Sequence, residues 1–163
     1  MLEREFKGLA DPCMVTIWNG LDGSEGASIR YIGRPKPHTS LVAFNGRPRS
    51  FSSDWKAIAN VMAKAVLIWN PNFATLESHG YFDHKTFKNR PGVGWMLYLP
   101  TVLNASQVPE ANFLVPVLAP DNKQVGTIIV SVTDGPFSHE NQEHLRIANA
   151  IEIRLVDQDL LPR

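Results

Sequence analysis

The chain has 163 residues, of which 44% are hydrophobic and 20% charged, with sixteen basic and sixteen acidic side chains. That length fits one domain with room for a substantial core, and the composition is that of a soluble globular protein. Zero formal charge argues against a general nucleic-acid or membrane binder, and the single cysteine, Cys13, excludes an intramolecular disulfide or a multi-cysteine metal site.

Charge is nevertheless unevenly placed. Arg30, Arg34, Lys36, Arg47 and Arg49 follow one another without an intervening acid, whereas residues 101–162 hold eight acids against three bases. Two such halves can meet within the fold or present one sign to a partner.

Residues 1–12 are polar and read as an irregular lead-in. They contain no apolar stretch of the kind a secretory signal needs, and no run approaches the roughly 20 residues that span a bilayer, so a cytoplasmic location is expected. Cys13–Trp18 has strand composition and stops at Asn19-Gly20. The segment 21–27 reads as a turn, and 28–32 and 41–44 as short strands. Pro35 and Pro37 preclude a ladder between them. Asn45-Gly46 reads as the next turn.

A helix is predicted over 53–69. Ser52 or Ser53 offers the cap and Asp54 the first-turn acid; Trp55, Ile58, Ala59, Met62, Ala65, Val66 and Trp69 make one apolar stripe of helical period. Asn70-Pro71 stops it. A strand is predicted over 73–78, followed by a polar and aromatic loop over 81–90. The uncharged run Val93–Leu99, closed by Pro100, reads as a central strand covered on both faces. Phe113–Leu118 contains Pro116 and so reads as an edge strand or a bulge; with Val125–Val132 it forms a predicted hairpin across Asp121-Asn122-Lys123. A last helix is predicted over 138–160, capped by Ser138, with Leu145, Ala148, Ile151 and Leu155 as its apolar stripe. The expectation is an α+β protein. One domain spans 1–163, with a mixed or mostly antiparallel sheet of about five to six strands packed by these two helices.

Catalytic constellations are thin. Gly20, Gly23 and Gly26 match no phosphate cradle and read as a turn, and no nucleophile elbow is present. His79, Asp83 and His84 could form the site of a small cytosolic enzyme or supply metal ligands from a loop, provided the loop brings them to one centre. His139 and His144 read as solvated groups near a helix start, and Cys13 as a small core residue. Trp55, Trp69 and Trp95 lie in phase with apolar stripes and are expected in the core. A nucleic-acid reading of the basic 30–49 region lacks interleaved stacking aromatics beyond Tyr31 and Phe44.

One further reading comes from particular stretches. Ile68-Trp69-Asn70-Pro71-Asn72, Gly94-Trp95-Met96-Leu97-Tyr98-Leu99, Gly126-Thr127-Ile128-Ile129-Val130, and Phe137 with Glu143-His144 resemble the immunity protein 52 family. The resemblance runs from Asp54 to about Leu161; Asn70 and Asn72 stand where that family usually has aspartate. It implies a non-enzymatic immunity protein, without cofactor or metal, that neutralises a cognate bacterial toxin. The toxin implied is a restriction-endonuclease-like nuclease delivered between cells by a secretion system such as type VI. No direct nucleic-acid or membrane partner follows. A nuclease cleft is usually basic, so Glu77, Tyr81, Asp83, Glu140, Glu143 and Glu152 are the expected toxin contacts.

Overall fold

The computed structural model describes residues 13–33, 41–46 and 53–163. The lead-in predicted over 1–12, Arg34, Lys36, Arg47 and Arg49 lie outside the described residues, as does the side chain of Cys13. The chain divides into two compact units, Met1–Ser52 and Ser53–Arg163.

In the first unit β1 (Cys13–Trp18), β2 (Ala27–Gly33) and β3 (Leu41–Gly46) form an antiparallel sheet in that order. β3 runs on through Asn45-Gly46, predicted as a turn, because those residues still pair with Ser28 and Ala27. Residues opposite one another in an antiparallel ladder share a face. Val15 and Ile17 therefore lie with Ile29, Tyr31, Val42 and Phe44 on one uncharged face. The β1–β2 connection is organised by Asn19. Its Oδ1 accepts from the backbone N–H groups of Leu21 (3.2 Å) and Ala27 (3.1 Å), while its Nδ2 donates to the Glu25 carbonyl at 2.9 Å. Gly20 and Gly23, at φ 80° and 71°, supply the left-handed residues this turn needs.

The second unit holds a four-stranded antiparallel sheet of β4 (Ala74–Leu76), β5 (Met96–Leu99), β6 (Phe113–Leu118) and β7 (Gln124–Val130), ordered β4-β5-β7-β6. The α+β class and its two main helices are as the sequence suggests, with the strands shared between two sheets. The run 93–99 is buried throughout, as expected of a central strand. Its regular part is shorter because Gly94 sits at φ 50° and bridges in parallel to Leu76. A Cβ at Gly94 would lie 2.5 Å from that of Glu77, so the close approach admits only glycine. Beyond this kink Trp95 is buried, and its Nε1–H donates to the Val132 carbonyl at 3.1 Å. β6 is the edge strand that Pro116 requires, with a register shift between Val117 and Leu118.

Helix α1 (Trp55–Trp69) is capped by Asp54 in place of the predicted serine, the carboxylate accepting from the Lys56 N–H at 2.9 Å. Ala59 and Val66 are buried, and the Trp55 ring lies 4.9 Å from that of Phe113. Phe113 pairs with Val130, which pairs with Met96, so this contact seats the start of α1 on the sheet face carrying those residues. Trp69, expected in the core, is 43% exposed because it lies on the last turn, where Asn70 leaves the helix in the left-handed conformation. Helix α2 (Gln142–Asp157) starts later than predicted. Ser138 instead opens a separate turn closed by the Asn141 N–H at 3.2 Å, and Asn141 caps the helix by accepting from Glu143 and His144. Leu145, Ala148, Ile151 and Leu155 are buried, as their spacing requires.

Candidate functional site

The segment after β4 is where the sequence-derived candidates gather. Ser78 precedes a short 3-10 helix, His79–His84, and the chain then runs irregularly to the kink at Gly94. Tyr81 points inward and is fully buried, its ring meeting Phe137 edge-on at 5.1 Å. Its hydroxyl donates to Glu152 Oε1 at 2.7 Å. Glu152, on α2, is itself fully buried and also accepts from the backbone N–H groups of Thr86 (2.9 Å) and Val93 (3.2 Å). Tyr81 and Glu152 thus offer no surface to a partner, contrary to the contact role expected of them. A buried carboxylate needs several donors, and among the described residues this one takes them all from 81–93.

Burial first, and then the adjacent Glu152 charge and hydrogen bond, hold the Tyr81 hydroxyl well above the usual phenol range. Glu77 keeps solvent-exposed surface as a residue, yet its carboxyl lies against Gly92, which the Tyr81 ring also approaches. Partial burial raises its pKa, Lys85 opposes the shift, and Glu152 adds to it.

The remaining acids lie outside. Asp83 is exposed on the 3-10 helix, and Glu140 is exposed just ahead of α2. The His84 ring stacks on that of His139 at 5.9 Å, and Ser78 Oγ lies 3.0 Å from His139 Nδ1. These contacts bring the 3-10 helix and the approach to α2 together, and each acid is next in sequence to one of the two stacked rings. Glu143 is exposed too, but Arg146 grips both its oxygens at 2.8 and 2.6 Å and holds its carboxyl below the usual range.

His79, Asp83 and His84 share the 3-10 helix, but among the described residues no three His, Cys, Asp or Glu side chains converge as a metal site would require. His144, read from sequence as solvated, is buried. Its Nδ1 accepts from the Ser138 N–H at 3.1 Å, its ring packs on Phe137, and Asp134 lies 3.3 Å from Nε2.

Two features escaped the sequence reading. One is the Glu152 anchor, signalled by its place at spacings of three, four and three with Leu145, Ala148 and Leu155. The other is Phe82, 53% exposed between Tyr81 and Asp83, for which the sequence holds no signal beyond an aromatic in a loop. No helix among the described residues is long and apolar enough to cross a membrane.

The model of the family described as immunity protein 52 matches residues 1–163, extending the resemblance over the first fifty residues as well. A search of characterised proteins returns no match.

Proposed function

Because the chain belongs to the immunity protein 52 family, and so is an immunity protein that binds a cognate toxin, we propose that this toxin is a nuclease delivered by a secretion system such as type VI, neutralised in the cytoplasm without turnover or cofactor. The match over the whole chain is the observation that carries the binding reading.

The nuclease assignment draws its support from charge. A cleft that holds a phosphate backbone is surrounded by Lys and Arg. Asp83 and Glu140 are exposed acids next in sequence to the stacked His84 and His139 and make no ion pair with the described residues. They are therefore available to answer a basic surround, whereas Glu143 is already satisfied by Arg146. Glu77 borders the same segment, with part of its surface open.

The test uses the toxin domain encoded beside this chain's gene. Titrating the chain into a plasmid-degradation assay with that domain should abolish cleavage at a one-to-one ratio. A neighbouring domain that binds the chain but leaves DNA and RNA intact would retain the immunity reading and remove the nuclease. Asp83→Lys with Glu140→Lys should weaken binding most at low salt, because exposed charges act over about 10 Å at 0.1 M ionic strength. Equal affinities for variant and wild type at low and high salt would take these two acids out of the interface.

A further inference from the structure

Among the described residues, all three donors to the Glu152 carboxylate come from residues 81–93, and no cation pairs with it. An unpaired buried carboxylate is a costly way to fill a core, and an apolar side chain of similar volume would cost less. What the carboxylate supplies is a defined geometry, because Tyr81 and Val93 must converge on Oε1 while Thr86 reaches Oε2. The same segment is tied at further points. Asn149 Nδ2, also on α2, donates to the His84 carbonyl at 3.2 Å, and Lys88 Nζ donates to the Phe82 carbonyl at 2.6 Å.

Within this restrained segment Tyr81 turns in and its neighbour Phe82 turns out. An isolated exposed apolar side chain is ordinary on any protein surface. Phe82 differs because its backbone is held from both sides, so burying its ring against a partner would cost little additional order. Anchors of this kind are rigid, aromatic and few in a protein interface. Phenylalanine has no polar tip, so its ring calls for an apolar socket. The Lys88 ammonium, 5.4 Å from the ring centre, calls for a carbonyl or carboxylate oxygen at the socket's rim.

We infer that Phe82 is the anchor residue that the toxin receives in an apolar socket, and that Glu152 is the positioning residue that holds the segment presenting it. The inference rests on the toxin-binding reading above. The probe is the purified toxin domain encoded beside this chain's gene, with affinity measured against the full chain at fixed salt. Phe82→Ala should raise Kd by roughly tenfold or more at an unchanged melting temperature. Glu152→Gln should raise Kd and speed hydrogen exchange at the Thr86 and Val93 amides. Its effect on Kd should nearly vanish when Phe82 is already alanine, since two residues acting through one contact are not additive. Tyr81→Phe, which removes one donor of three, runs the same cycle if Glu152→Gln does not fold.

Wild-type affinity in Phe82→Ala overturns the anchor. An equal Kd increase from Glu152→Gln in both backgrounds overturns the positioning role, because a general loss of stability would act alike in each. If the wild-type chain itself does not bind the domain, the toxin reading fails and this inference falls with it.

Discussion

At the scale of single residues, Trp95→Ala is expected to destabilise the protein by roughly 3–5 kcal/mol, the usual cost of deleting a large buried aromatic. The indole is 5% exposed and its N–H is satisfied by the Val132 carbonyl. Denaturant unfolding measures the change, and a loss below about 1 kcal/mol would show that the entry to β5 is not part of the core. Glu110 offers a test of sign. Arg154 donates to its carboxylate at 3.0 and 2.7 Å and holds its pKa below 4.5, chiefly through those hydrogen bonds. A carboxyl with a depressed folded pKa contributes stability above its unfolded pKa and loses that contribution as pH falls through the folded one. The stability gap between wild type and Glu110→Gln should therefore be present at pH 7 and close below about pH 4.5; a gap that persists at pH 2 would mean the glutamate acts through packing. Trp95 was legible from sequence because nothing polar interrupts its run. Glu152 was not: a lone acid on a helix is most often solvated, and only three donors distant in sequence make its burial tolerable.

Elements were legible in their middles and obscure at their ends. β7 and the body of α2 follow directly from β-branched content and from the stripe Leu145, Ala148, Ile151 and Leu155. Where α2 begins is a contest between Ser138 and Asn141, both good caps three residues apart, and the sequence does not decide it. Asn141 wins because Ser138 is drawn into its own turn, its Oγ accepting from the Glu140 N–H at 3.2 Å. Asn141→Ala should therefore cost about 1 kcal/mol, and Ser138→Ala clearly less, as read from thermal unfolding of the two variants side by side. The reverse order would return the helix start to Ser138. The shortening of β5 was hidden in the same way. Its cause, Gly94 pressed against Glu77, is a contact between segments with no local trace. Gly94→Ala should destabilise strongly, since it meets both the positive φ and the Glu77 Cβ.

On the scale of the whole molecule, the sequence resemblance stopped near Asp54, while the family match spans 1–163. The two parts differ in burial and patterning. Residues 93–99 and 126–130 are buried and densely patterned, whereas none of the described residues of β1, β2 or β3 is buried. Native-state hydrogen exchange should reflect this, with the slowest amides in β5 and β7 and the fastest strand amides in β1 to β3. Equal protection across both sheets would refute that ranking. We continue to propose that 1–163 unfolds as one domain, for which superimposable denaturation curves from fluorescence and circular dichroism are the expected result and separated midpoints the contrary one. The uncharged face of the first sheet also bears on how the protein behaves in the test tube. Val15, Ile17, Ile29 and Tyr31 are each at least 39% exposed there, and the isoelectric point is near 7.0. At neutral pH the molecules lack a net repulsion while displaying an adhesive strip, a combination that favours self-association. Static light scattering of concentrated samples should accordingly be strongest around pH 7 and fall by pH 9, where the accumulated negative charge disperses them.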